Sequence, residues 1–553
     1  MKTKTRAPRV TLCAAAAALS FAALHAQTDG VWTNNAGGSW SDPKNWLDGI
    51  VPNGAGSIVT FPNNPGGHTL QIDAPVTVGK FNINTVGSGW NFTLAPGGSL
   101  TMDNGAATPE FFFDPSADNN SWFNMYAPFT STNGVWVGAT QRSNVTFFEA
   151  NDITGVFTPG QRNYYCRIAH PGVFGSAVVN PMGGVVLDLN QGMTFTNDII
   201  LAGAEIHSAG ITSGNNPATL TGNITLAGGS SIWAGRNSST PLIINGPITG
   251  TDPAAGITFR AGGGGGTITI NAPININGAN LNAGNNSNGA IFMQDASGPT
   301  IYLNEKMSYQ GRLLIRGGTL VCGKPYVLDN QNIVGFVQAD GDNQILNLNG
   351  FDQRVGGIHL GINNVNRISR VTSATPATLT LDIPQGVAPE MNYRNQFEGP
   401  LTVVKTGPGA QILTGGDSVN LIDQWVAEEG SFEFRWGTYS ANLEVRGGWL
   451  HGGNGGPIMV FRIDGNTPDK MILTSGALDV SKMNVVFTGF PDYGEHLILD
   501  ATAGGVFTSG NTDPKLPFNS VSDLPEGCLL KVGGDKKQIW LVRPRPGALM
   551  MIK

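Results

Sequence analysis

The sequence predicts an all-β fold, a right-handed parallel β-helix (solenoid) with an N-terminal cap and C-terminal closing strands. Three observations lead there. One short phrase returns four times at a nearly constant interval, the stretches between are rich in turn-forming residues, and Gly takes 77 of 553 positions while charged residues take only 13%.

The phrase reads Phe195-Thr-Asn-Asp-Ile199, Leu220-Thr-Gly-Asn-Ile224, Ile244-Asn-Gly-Pro-Ile248 and Ile270-Asn-Ala-Pro-Ile274, with first residues 25, 24 and 26 positions apart. A fixed period of this length marks a repeated structural coil. Alternating apolar and small polar positions suit a half-buried strand, and Ile, Thr and Leu fit a pleated surface. Between the phrases lie clusters such as Ala209 to Pro217 and Ala261 to Gly266, whose residues favour turns. One coil of this size cannot bury its own apolar face, but stacked coils bury a continuous interior and pair each other's backbones. Ile199, Ile224, Ile248 and Ile274 are therefore expected in one inward-facing column. Barrels and sandwiches also use many short strands, yet their turn signals recur every 8 to 12 residues or so and need no phrase at a longer fixed interval.

In chain order, residues 1–26 read as a signal peptide. Lys2, Lys4, Arg6 and Arg9 precede an apolar run from Val10 to Leu24, and Leu-His-Ala stands before Gln27, the layout of a cleavable secretory signal. The run is short for a bilayer span of about 20 residues, so no integral membrane segment is expected after cleavage. Bulky Leu12 before Cys13 argues against a lipid-anchor site. Cleavage removes four of the 32 Lys+Arg and none of the 39 Asp+Glu, which moves the net charge from −7 to −11. Nucleic acid is not an expected partner of so acidic a chain.

Residues 27–110 form the expected cap and first coils. Trp32, Trp40 and Trp46 could stack on sugar rings or plug the open end of the solenoid; the plug is the favoured expectation, because an uncovered first coil exposes core and invites edge pairing. Thr69 to Ile72, Val76 to Val78 and Phe92 to Leu94 look like early strands. Residues 111–170 are dense in aromatics, among them Phe111, Phe112, Phe113, Trp122, Phe123, Tyr126, Phe129 and Trp136. A ligand groove and aromatic stacks inside a widened solenoid both fit, and the stacks are the simpler expectation. Residues 171–456 carry the coils, and 457–553 a closing module with strands at Met471 to Val480, Gly494 to Ala501 and Gln538 to Val542.

Two stretches carry a resemblance. Leu346-Asn-Leu-Asn-Gly-Phe-Asp-Gln-Arg-Val-Gly-Gly-Ile358 and Gly399-Pro-Leu-Thr-Val-Val-Lys-Thr-Gly-Pro-Gly-Ala-Gln-Ile-Leu-Thr-Gly415, the latter followed by Trp425-Val-Ala-Glu-Glu-Gly-Ser-Phe432, resemble secreted bacterial proteins with autotransporter-associated β-strand repeats. Gln411-Ile412 departs from the threonine-leucine alternation of that repeat, and the segment from Gly415 to Trp425 lacks its Tyr-Thr-Gly run. The resemblance implies a β-helical passenger-like domain at the cell surface or in the medium, and it implies no enzyme activity. Arg543 to Lys553 is too short for a translocating barrel or a sorting tail, so export through a separate system or release beyond the inner membrane is the expectation.

Groups that could carry chemistry are few. A lyase would need clustered aspartates around calcium beside a base, and a glycosidase two carboxylates flanking the bond. The close acidic pairs of the repeat region are Asp340 with Asp342 and Glu428 with Glu429; the first reads as a solvated turn, and strand neighbours such as the second point to opposite faces. Cys166, Cys322 and Cys528 are odd in number and far apart, so neither a disulfide framework nor a zinc site is indicated. His68, His170, His207, His359, His451 and His496 share no ligand spacing. No catalytic, cofactor-binding or metal-ligating residue is therefore named, and no cofactor. The expected role is a secreted or surface-displayed, non-catalytic protein for adhesion or matrix contact, with surface polysaccharide or other envelope components as partners; the alternative is a polysaccharide-binding or polysaccharide-degrading β-helix with the aromatic-rich first third as its groove.

Overall fold

The computed structural model describes residues 27–546 apart from 63–66, 85–88, 115–120, 141–142, 161–163, 209–213, 236–239, 251–254, 262–265, 277–290, 295–298, 310–311, 329–332, 338–342, 362–367, 392–394, 415–418, 436–437, 453–456, 466, 505, 509–517 and 534–536. The signal peptide, Asp340 and Asp342, and most of the Gly262 to Gly266 run lie outside the described residues.

Short strands alternate inward apolar with outward polar side chains, as in Gly256–Ala261 and Ala377–Asp382. A strand this short buries one row of residues and must turn, so each coil has three sides. Sheet 1 holds twelve strands from Gly30–Val31 to Met307–Tyr309, and sheet 2 fourteen from Gly38–Ser39 to Ile358–Gly361. Sheet 3 comes in two parts, four strands from Pro75–Val78 to Asp152–Ile153 and nine from Thr194–Phe195 to Asn395–Glu398. Pairing within these sheets is parallel, each strand with the equivalent strand one coil on. The molecule is a parallel β-solenoid of about 15 turns. At roughly 4.8 Å per turn that makes a rod about 70 Å long.

The repeated phrase occupies the corner where sheet 3 passes into sheet 1. Phe195, Leu220, Ile244 and Ile270 pair in succession on one side, and Ile199, Ile224, Ile248 and Ile274 on the other. All eight are buried, none more than 3% exposed. The small residues between them have a steric cause, since a Cβ on Gly246 would sit 1.7 Å from the carbonyl oxygen of Gly222. Outside the same corner Asn271 donates from Nδ2 to Oδ1 of Asn245 (2.9 Å), and Asn304 does so to Asn271 (2.7 Å).

Both ends differ from the middle. Trp32, Trp40 and Trp46 are buried together, with Trp32 and Trp40 edge-on to Trp46 at 4.9 and 5.0 Å. Their indole N–H groups donate to the carbonyls of Asn34, Pro52 and Trp40. They plug the first coil and present no stacking platform. At the other end Leu443–Gly452 pairs at once with Gln424–Ala427 and Ser431–Arg435, so two sides of the triangle fuse into one long strand. Antiparallel pairing then ends the stack, where Gly494–Asp500 and Leu529–Val532 flank Gln538–Arg543.

Cys166 lies in the inward column between Val145 and Leu187, and Cys322 follows Leu303. No disulfide joins Cys166, Cys322 or Cys528, and burial pushes the Cys322 thiol up.

Several polar side chains lie inside, each tied to backbone. Gln353 donates to the carbonyl of Lys324 (2.8 Å) and accepts from the N–H of Leu328 (3.3 Å). Gln411 spans more: its Nε2 donates to the carbonyls of Ile358 (2.9 Å) and Pro389 (3.0 Å), and its Oε1 accepts from Ile358 N–H (3.0 Å). Pro389 has no N–H to give to a neighbouring strand, so the Gln411 amide stands in for the missing peptide group. This accounts for a glutamine at a buried strand position. Lys405 is fully buried, and its Nζ donates to the carbonyls of Thr406 (2.7 Å), Gly407 (2.7 Å) and Glu429 (3.0 Å).

Three outcomes follow for urea unfolding of the mature chain. Ile248→Ala, which empties a fully buried site in the column, should lower stability by about 3 kcal/mol. Gln411→Thr strands the N–H and C=O of Ile358 and should cost about 2–3 kcal/mol. Burial pulls the Lys405 ammonium down to about 8 from 10.5, against the opposing charges of Glu429 and Asp382. Between those two values the unfolded chain keeps a proton that the folded chain has released, so this group makes stability rise with pH across that window. The rise is on the order of 3 kcal/mol at most, and Lys405→Met should flatten it.

Candidate functional site

Strict alternation splits the aromatic-rich segment in two. In Glu110–Phe113 the rings of Phe111 and Phe113 point inward and that of Phe112 outward; in Val135–Ala139, Trp136 faces out between buried Val135 and Val137. The inward set extends a column in which Phe81 stacks on Phe111 at 5.1 Å with planes 3° apart, and Phe61 on Phe81 at 6.3 Å. These are the stacks that the sequence leads one to expect. The outward set makes a second feature.

Two outward rows run side by side on sheet 1. One carries Lys80, Glu110, Trp136 and Thr158 in register, the other Asn82, Phe112, Gly138 and Gly160. With no side chain on the last two, the Trp136 indole drops onto the backbone. A Cβ built on Gly138 would lie 1.9 Å from its six-membered ring, and one on Gly160 2.5 Å from its Nε1. Phe112 lies beside it with centroids 6.1 Å apart and planes within 19°. The ammonium of Lys80 sits 5.0 Å over the Phe112 ring and 2.8 Å from Oε2 of Glu110. These groups border a cleft of about 550 Å³, with Thr108, Asn133, Val156 and Thr158 completing the walls. Asn133 is anchored by donating to the carbonyls of Ala106 and Ala107. The cleft offers a flat apolar floor, hydroxyl and amide groups at its edge, and one neutralised ion pair. Its single carboxylate is held by Lys80, an arrangement suited to holding a ligand; hydrolysis of a glycosidic bond calls for two carboxyl groups facing each other.

Two other clusters bring titratable side chains together. On the outer face of sheet 2, Arg167 lies 4.7 Å over Trp122 and 3.5 Å from Asp188. On the coils that follow, His207 meets Glu205 at 2.9 Å, and Arg260 covers Trp233 at 3.8 Å. The hydrogen bond from His207 holds the Glu205 carboxyl below its usual range. These charges and rings line up along the ladder, with His207 Nδ1 and Arg167 Nε buried and without a hydrogen-bond partner among the described residues. On the wide C-terminal sheet, Ser431 Oγ lies 3.2 Å from His451 Nε2, and burial lowers the His451 pKa. A serine nucleophile also needs a carboxylate to orient its histidine. Here Glu433 is clamped by Arg435 at 2.7 Å, Asp479 accepts from the Ser481 N–H, and Trp449 stacks on the imidazole at 4.0 Å.

The remaining residues singled out by sequence fall outside these clusters. Glu428 and Glu429 sit in the turn after Gln424–Ala427, not within a strand. Glu428 pairs with Arg446 at 3.2 Å, while Glu429 lends its carbonyl to Lys405. His170 accepts from Gly172 N–H and His496 bonds the Asp492 carbonyl. Among the described residues no three His, Cys, Asp or Glu side chains gather as a metal site would require, and no helix is long and apolar enough to cross a membrane. The Trp136 shelf itself was not foreseen. Its signal is glycine at outward strand positions, Gly138 and Gly160, which marks close approach by another group.

No family model, curated protein or solved structure matches the chain.

Proposed function

We propose that this chain is an exported structural rod that works by contact, adhering to cell-surface or matrix components, and performs no chemistry of its own. The observation that carries this reading is a continuous stack sealed at both ends, by the tryptophan plug at one and antiparallel strands at the other. Capped ends prevent edge-to-edge growth, which leaves the long sides as the surfaces for contact. Export is proposed from the basic start and apolar run of residues 1–26. Kinship with the autotransporter-associated repeat proteins is proposed on Leu346 to Ile358 and Gly399 to Gly415.

Fractionation of the producing cells, with protease treatment of intact cells, tests the reading together with a reducing-end and unsaturated-product assay on the purified mature chain. The chain is expected outside the inner membrane, cut after Ala26, and without turnover of any polysaccharide. Retention in the cytoplasm with Met1 to Ala26 intact, or measurable turnover, sinks it.

A further inference from the structure

We infer that the cleft over Trp136 binds a neutral hexopyranose chain. The inference rests on the contact role proposed above and names the class of partner that this face takes. A pyranose in its chair form has a flat apolar side made of C–H groups and a rim of hydroxyls. The matching receptor is a flat aromatic surface with hydrogen-bonding groups around it, because an aromatic face carries the negative end of the ring quadrupole and attracts C–H groups.

Trp136 is fixed as such a surface. Its indole rests across Gly138 and Gly160 on neighbouring coils, so one face is taken up by backbone and the ring cannot turn edge-on without leaving that seat. Phe112 continues the surface with planes only 19° away. Receptors that are already in the bound shape lose little freedom on binding. The cleft volume of about 550 Å³ lies within the roughly 300–1,000 Å³ usual for ligand sites, and its hydroxyl and amide groups stand at the edge of the aromatic floor, where a sugar's own hydroxyls fall. Charge selects among sugars. Lys80 is cancelled by Glu110 at 2.8 Å, so no unpaired cation among the lining residues recognises a uronate or sulfate, and the acidic chain repels both.

Isothermal titration of the mature chain with cellohexaose, laminarihexaose and mannohexaose, with hexagalacturonate as acidic counter-probe, tests this. At least one neutral hexasaccharide should bind saturably, and hexagalacturonate roughly tenfold more weakly or not at all. Trp136→Ala should weaken the neutral sugar by about tenfold or more with an unchanged melting midpoint. On the wild-type chain, saturation with the bound hexasaccharide should slow oxidation of Trp136 by N-bromosuccinimide, mapped by mass spectrometry, a readout independent of whether the variant folds. Binding by none of the three neutral sugars, preference for hexagalacturonate, or an unprotected Trp136 overturns the inference and leaves the contact role standing. Cleavage of a bound hexasaccharide, seen by chromatography, overturns the contact role instead.

Discussion

Every part of this molecule depends on each coil serving as the neighbour that covers the next. A coil of two dozen residues has no interior of its own; its isoleucines leave water only when those of the adjoining coils lie against them. The column from Ile199 to Ile274, with Val179 before it and Met307 after, is that dependence in its plainest form. It explains why the sequence can vary freely at outward positions while the inward ones keep size and spacing. It also explains the need for special ends, since the first and last coils each lack one neighbour.

The interior is not purely apolar, and three of its polar members are found where the regular ladder fails. A corner breaks the succession of backbone hydrogen bonds, and a proline breaks it again. Lys405, Gln353 and Gln411 reach into those gaps and bond to the carbonyls left without a partner. Burying such groups is tolerable only because nearly all their hydrogen-bonding capacity is used: Lys405 donates three times, and Gln411 uses both ends of its amide. An unpaired buried amide or ammonium would be strongly destabilising.

The stacked architecture could be read from the sequence because the phrase ending at Ile199, Ile224, Ile248 and Ile274 sits on a corner, where sterics restrict the choice of residue. Close approach at Gly222 and Gly246 and the amide ladder at Asn245, Asn271 and Asn304 keep that phrase nearly constant. The tryptophan plug was legible for a related reason, as large rings near the start of a solenoid have a surface to cover. The Trp136 shelf was not. It arises from Gly138 and Gly160, 22 positions apart in a region with no constant phrase, and only the pairing register of Val135–Ala139 with Val156–Gly160 brings them together. The fused C-terminal sides were also hidden, because a strand that serves two sides at once, Leu443–Gly452, looks in sequence like two short strands around Gly447 and Gly448.

The three successive phenylalanines at 111–113 have a consequence for alignment. Slipping that strand by one position would exchange interior for exterior; the rings would look alike to each side, but the slip would turn Glu110 or Asp114 inward, so the carboxylates at its ends record which way it faces. Phe81 on the coil before and Val137 on the coil after hold the same alignment. A run of like rings is thus placed by the charges at its ends and by its neighbours, and the position of the outer aromatic floor follows from the packing of the inner one.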